Sequence, residues 1–461
     1  MVLGSFCIGL VAFLAFADAE RVITRDVCIL GGGSSGTYAA IRLKDRGKTV
    51  VIVEPKDVLG GHAETQYFPD GRHIDYGVEG VFRNDLSTKY LQRLGVEYQS
   101  LLPNTSRIDY VDFRTGQSNS SHEVSGFLEL LPQIVLYRLA LNNFDYLRKG
   151  LFNEIPEPVP ETLLQPFREF ASRNQLQQPL LDLIFTFASG VGNVLDTPLL
   201  YVLQNFGIPH VEALLSGYVK PVKGMNEVYR RAEKIIGTEN ILFGAKAREV
   251  TRRDDGGAGI VISVMDKKGQ RYAIHAKQLL VAMPLTAENT APLLLDESDR
   301  ALFRKWKWSN YYAAVIKTGG LPDKVDIANE DPTQKYSFPL PPFQWRLQYM
   351  GVPGYHISKI VADSNFEPRK AHYLILTDIL RMKSVYPVQT PEIVAFADHS
   401  PTSLSVSVEH LRAGFYRRLY ALQGRADTFY TGNSLCSDYS SLLWAYTDEV
   451  IDLMVGRELL V

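Results

Sequence analysis

Read for apolar and polar spacing, the chain opens with a strand, a glycine-rich turn, a helix and a second strand. Val27-Cys28-Ile29-Leu30 is an unbroken apolar run of strand length, Thr37 to Arg46 has helical spacing, and Thr49-Val50-Val51-Ile52-Val53 is again apolar throughout. Strands without alternation are those of a parallel sheet covered on both faces. From about Gly126 to Leu215 the pattern becomes helical and punctuated by proline, with helices predicted over Leu128 to Leu147, Pro160 to Ser172 and Leu180 to Ser189. The first texture then returns. Gly224-Met225-Asn226-Glu227 opens a helix to Ile236, and strands follow at Ile241 to Phe243 and Ala247 to Val250. Two more, Ile260 to Met265 and Arg271 to His275, flank a Lys267-Lys268-Gly269 turn. A separate strand, Gln278 to Met283, stops at Pro284, and after a further change of texture come a last strand at Thr428 to Gly432 and a last helix from Ser440.

The turn between the first strand and helix carries the first chemistry. Gly31, Gly33 and Gly36 have the spacing G-x-G-x-x-G: the first glycine makes the tight turn, the second admits a pyrophosphate to the backbone, and the third packs helix on strand. The helix N-terminus behind Ser34 and Ser35 favours an anion. Glu54, ending the second strand, is placed to accept from ribose hydroxyls, and its charge disfavours a 2′-phosphate. A glycine turn alone marks only tight packing. Strand, turn, helix, strand and acid in this order point to a dinucleotide.

Composition narrows the partners. The 461 residues suffice for about two domains, and a net charge of −2 offers no strong field to nucleic acid. The histidines are scattered and no Cys/His spacing fits zinc, so no metal is expected. Phe6 to Phe16 is too short to cross a bilayer, and Ala17-Asp18-Ala19 after it has the form of a signal-peptidase site. Residues 1–19 are therefore expected to be a signal peptide, with secretion or residence in the secretory route and no membrane association after cleavage; the absence of Lys and Arg before the apolar run keeps an uncleaved anchor as the alternative. Asn104-Thr105-Ser106 and Asn119-Ser120-Ser121 are sequons consistent with that route. Cys28 reads as a buried hydrophobe within its strand, and Cys436 has no evident disulfide partner.

Taken together, the Gly31 to Gly36 turn, Glu54, the Gly60-Gly61 pair, the strand ending Ala282-Met283-Pro284 and the late Thr431-Gly432 resemble the flavin amine oxidase and phytoene desaturase type of oxidoreductase. More specifically, Gly60-Gly61-His62-Ala63-Glu64-Thr65, Phe396-Ala397-Asp398-His399, Leu422-Gln423-Gly424-Arg425 and Tyr430-Thr431-Gly432 through Trp444 resemble the beta-cyclopiazonate dehydrogenase family of fungal flavoenzymes. The resemblance implies FAD, an α/β fold in which a Rossmann-like FAD-binding domain (20–100, 217–285 and 425–461) interleaves with a mixed α+β substrate domain (101–216 and 286–424), and oxidation of a small apolar or aromatic natural product. It implies FAD contacts from Gly31, Gly33, Ser34, Ser35, Gly36, Glu54, Gly60, Gly61, His62, the backbone of Val250, Gly432, Ser440 and Ser441. Two departures matter. The wider family often has arginine after the glycine pair, where this chain has His62, and the tail lacks the Ser-Gly-Gly-Cys-Tyr run that tethers flavin through cysteine in some amine oxidases.

Several residues keep two readings. His62 is a base, donor or covalent tether beside the flavin, or a loop histidine bonded near it. Asp398-His399 is a pair over the substrate or a surface dipeptide before Pro401, and Ser440 and Ser441 meet the flavin or only cap a helix. Trp306, Trp308, Tyr311, Tyr312, Phe343 and Trp345 line a flat pocket or fill the core. Function also keeps alternatives: an oxidase or dehydrogenase, an isomerase of polyunsaturated fatty acids that takes and returns hydride, or a flavin-binding protein without turnover. A two-dinucleotide reductase fits less well, since one glycine fingerprint is present rather than two.

Overall fold

The computed structural model describes residues 20–119, 122, 126–252 and 259–458. The expected signal peptide lies outside them, as do Ser120 and Ser121 of the second sequon.

The unbroken apolar runs do form a parallel sheet. Val50–Glu54, Arg21–Leu30 and Arg271–Val281 lie side by side in parallel, with Ile241–Phe243 beyond the first and Thr428–Tyr430 beside the last. Ile260–Asp266 and Ala245–Arg252 extend the same seven-stranded sheet antiparallel. Helix Ser34–Asp45 packs on this sheet, with Ala39, Ala40 and Ile41 fully buried, and the final helix Ser440–Glu458 packs beside it.

One boundary differs from expectation. Arg271 to His275 and Gln278 to Val281 are a single eleven-residue strand. Its first half pairs antiparallel with Ile260–Met265, its last three residues pair parallel with Thr428–Tyr430, and Arg21–Leu30 runs along its other edge. The alternation fails at Ala276-Lys277-Gln278 because the strand changes neighbours there, not because it ends.

The second large sheet has eight strands. Its order is Glu392–Asp398, Lys307–Lys317, Tyr355–Asp363, Phe343–Tyr349, Val325–Asn329, Arg107–Asp112 and Gln117–Ser118, with Thr402–Ser405 also on Lys307–Lys317. Ala371, Ile375 and Ile379 of helix Pro368–Arg381 cover one face through Tyr312, Ala314, Ile316 and Ile360. Trp306, Phe343, Trp345 and Val361 instead join the large core shared with the first sheet.

The helical block is more broken than its spacing suggests. The predicted Leu128 to Leu147 helix is Phe127–Ala140 followed by a tighter turn, Leu141–Leu147, in which Phe144 leaves helical geometry. Pro160 to Ser172 divides into Glu161–Leu164 and Phe167–Arg173, because Gln165, preceding Pro166, is held extended.

Candidate functional site

Three parallel neighbours end together, where open α/β sheets place their ligands. The Gly31 N–H donates to Val53 O, Ala282 N–H to Leu30 O, and Thr431 N–H to Val281 O, so segments hundreds of residues apart are bound edge to edge. Gly31 has a φ of +104°, and a side chain there would stand 3.1 Å from Ala282 O; a Cβ on Gly432, φ +105°, would stand 3.7 Å from that same atom. Gly36 lies directly against the turn, with an added Cβ only 1.9 Å from Gly31 O. Gly33 is different: its nearest neighbour would be Gly61 Cα at 3.8 Å. Open space therefore lies over Gly33.

That space has polar walls. The helix begins at Ser34 without a side-chain cap, leaving first-turn N–H groups pointing outward, and Ser34 Oγ and Ser35 Oγ are buried without partners. Glu54 is buried and accepts from Gly32 N–H at 2.7 Å and Lys56 N–H at 2.8 Å. Burial pushes its carboxyl upward in pKa, while the two backbone donors pull the other way.

Some expected contacts are already committed elsewhere. The Val250 N–H donates to Pro292 O at 2.8 Å, so it is not free for an adenine. Ser441 Oγ accepts from Phe82 N–H at 3.0 Å and meets Ser87 Oγ at 2.9 Å, fastening the last helix to strand Val81–Phe82. Neither serine is the helix cap, because Tyr439 O accepts the first intrahelical bond, from Leu443 N–H. Ser440 and Ser441 occupy the first turn.

The Gly60-Gly61-His62 loop meets the second sheet through His399. The two imidazoles stack with centroids 4.6 Å apart, and Tyr311 lies parallel on His399 at 6.2 Å. His399 Nε2 is 2.9 Å from Glu64 Oε2, Lys56 Nζ donates to Glu64 Oε1 at 2.8 Å, and the same ammonium donates to Gly61 O at 2.9 Å. Burial, then the neighbouring His399 and Lys56, hold the His62 pKa well below the ordinary range, so its ring is neutral. The Asp398-His399 pair is not a pair in space. Asp398 ends its strand exposed and binds Ser400 N–H, whereas His399, just beyond the strand, is buried, which removes the surface reading for the histidine.

A cavity of about 860 Å³ opens beside the segment between Gly432 and the last helix. Phe152, Tyr201, Trp306 and Trp308 form its aromatic wall, serines 309, 364, 403, 405 and 407 its polar rim, and Asn433, Cys436, Ser437 and Asp438 bring in the segment between Gly432 and the last helix. The expected aromatic cluster is thus divided: Tyr312 and Phe343 are core, Tyr311 stacks on His399, and Trp345 lies under the Arg346 guanidinium. Cys28 and Cys436 are both buried free thiols. Among the described residues no group of three or more metal-ligating side chains converges, and no helix is long and apolar enough to cross a membrane.

Lys56, Glu64 and Asp438 escaped the sequence reading. Glu64 and His399 are 335 positions apart, so no spacing could join them. Asp438, an acid between Gly432 and the Ser440 helix, was within a segment already singled out.

A glycine-turned parallel sheet beside a large antiparallel-rich sheet, with a cavity bordered by the segment between the late glycine and the last helix, defines a flavin-type oxidoreductase. The comparisons agree: the chain belongs to the flavin containing amine oxidoreductase family, whose profile matches residues 34–317, and its cofactor is FAD. It is 42% identical over 451 residues, 97% of each chain, to the beta-cyclopiazonate dehydrogenase of Aspergillus oryzae, and 42% identical to that of Aspergillus flavus over 97% of this chain and 98% of the other. An FAD-dependent oxidoreductase of Cochliobolus heterostrophus is 31% identical over 93% of this chain and 91% of its own. The CLA-producing fatty acid isomerase from P. acnes has the same fold at a TM-score of 0.73 and 18% identity, covering 93% of this chain and 98% of that one. A putrescine oxidase follows at 0.66 and 12%, covering 95% and 100%.

Proposed function

We propose that this FAD-dependent oxidoreductase dehydrogenates a small aromatic or apolar natural product, closing or unsaturating it by removal of hydride. The observation that carries this reading is the cavity: its volume is that of a drug-sized ligand site, with an aromatic wall, a hydroxyl rim and a border on the segment after Gly432. The name of the Aspergillus relatives makes β-cyclopiazonate the first compound to test.

Bound FAD supplies the two-electron chemistry. The chain's own residues hold and tune it. The space over Gly33, walled by Gly61 and the orphaned Ser34 and Ser35 hydroxyls, suits a pyrophosphate, which the uncapped helix N-terminus would hold by backbone N–H groups. Glu54 keeps a second lone pair on each oxygen for ribose hydroxyls. Gly432 and the first turn at Ser440 would offer N–H groups to the ring end, stabilising negative charge there. His62, neutral beside this loop, would accept or donate one hydrogen bond to the cofactor. Trp306 and Trp308 would orient a flat substrate and exclude water. The apolar run before Ala19 and the sequon at Asn104 support a secreted enzyme as part of this reading.

The test is anaerobic mixing of the purified flavoprotein with β-cyclopiazonate. Bleaching of the flavin with formation of product two hydrogens poorer is the expected result. Product of unchanged mass, formed without any electron acceptor, would replace the dehydrogenase by an isomerase.

A further inference from the structure

Asp438 stands six residues beyond Gly432 and two before the last helix, where the chain passes from the sheet edge to the cavity. Its carboxylate lines the cavity, and its one hydrogen bond among the described residues is a long one, 3.3 Å from Asn433 Nδ2 to Oδ2. Other acids there are differently placed. Asp196 is held by Arg168 and Asn193, and Asp363 comes from the second sheet rather than from the Gly432 segment. The histidine nearest in charge, His399, is clamped at Nε2 by Glu64 and flanked by two rings.

We infer that Asp438 is a catalytic residue of the proposed dehydrogenation, taking the proton from the substrate as the hydride leaves. The inference rests on the reading of the cavity as the substrate site. In the step, a substrate O–H or N–H bond breaks with its electron pair remaining on the heteroatom, and the proton bonds to an Asp438 oxygen. The adjacent C–H bond gives its hydride to FAD, so the substrate is oxidised by two electrons and the flavin is reduced. The titratable groups around the carboxyl are His399, Cys436 and Tyr439. Asp438 is exposed at the cavity, where its carboxylate is open to a substrate, and the Asn433 amide donates to the charged form that accepts the proton. A bland role, steadying the start of the Ser440 helix, predicts altered stability rather than altered proton transfer.

The experiment compares wild type with Asp438→Asn and Asp438→Glu as flavin-loaded proteins. Wild-type flavin stoichiometry in all three shows that the fold is kept, and Asp438→Glu serves if the amide variant does not fold. The kcat with β-cyclopiazonate should fall about 10²–10⁴-fold in Asp438→Asn, the acid limb of its pH profile should vanish, and Asp438→Glu should restore part of the rate. The second readout needs no substrate: a pH titration of the bound flavin's absorption should show a transition in wild type that is lost in Asp438→Asn. Retention of that transition, or a full rate with the acid limb unchanged, overturns the inference. A wild type whose flavin is not reduced by substrate instead overturns the dehydrogenase reading, and the titration still decides whether Asp438 titrates against the flavin.

Discussion

Alanine at Gly36 and alanine at Gly33 should fail in different ways, although the two glycines belong to one fingerprint. At Gly36 the new Cβ would stand 1.9 Å from Gly31 O and 3.2 Å from Ala282 Cβ, which is roughly 1.5 Å inside ordinary contact with the oxygen. Neither partner yields readily: Gly31 is hydrogen-bonded to Val53 and Ala282 to Leu30, both within the central sheet. Moving helix Ser34–Asp45 off the sheet by that amount is overpacking of a core, costing about 1–3 kcal/mol or more. Gly33 has φ −70° and ψ −164°, a conformation alanine adopts, and its Cβ would meet nothing closer than 3.8 Å. Gly33→Ala should therefore leave the stability of flavin-free protein within about 0.5 kcal/mol, since no protein atom is displaced. It should nonetheless weaken FAD by about 2 kcal/mol, or roughly 30-fold, because the methyl occupies the approach to the pyrophosphate. Thermal melts of the apoproteins and flavin fluorescence quenching on reconstitution measure the two quantities. Equal apoprotein melting points for both variants, or undiminished FAD affinity in Gly33→Ala, would refute the division of labour.

Three further outcomes follow from named contacts. Glu64 receives Lys56 and His399, and although burial alone would raise its pKa, those hydrogen bonds bring it below the ordinary value of 4.5; its stabilisation is therefore full above that value and lost as pH falls through the depressed one. Glu64→Gln should be about 1.5–3 kcal/mol less stable at pH 7, with the gap to wild type closing on acidification below pH ~4.5 in denaturant titrations. Lys359 Nζ lies 2.5 Å from Glu79 Oε1, and Gln348 Nε2 donates to Glu79 Oε2 at 3.0 Å, so Lys359→Met should cost about 1–3 kcal/mol by leaving a half-buried carboxylate without its cation, and adding Glu79→Gln should recover much of it in urea unfolding. Trp306 is buried edge-on against Phe415 at 4.8 Å whereas Trp308 is only partly covered, so Trp306→Ala should cost about 3–5 kcal/mol of stability, while Trp308→Ala should chiefly raise KM, about tenfold, in steady-state assays.

What the sequence determined by itself was local. Strand Val27 to Leu30, the glycine turn and strand Val50–Glu54 follow from apolar runs and missing side chains, each set by neighbours a few residues away, and the resemblance of motifs in order led to FAD and the family. Only the tertiary structure decided what those pieces touch. Arg271–Val281 is one strand because two partners share its edge, Ser441 binds Phe82 because the last helix returns to a strand 359 positions earlier, and His399 is buried because Glu64 waits 335 positions before it. A turn is chosen by the backbone freedom of its own residues, whereas a buried hydrogen bond is chosen by whichever distant group the packed core brings within 3 Å.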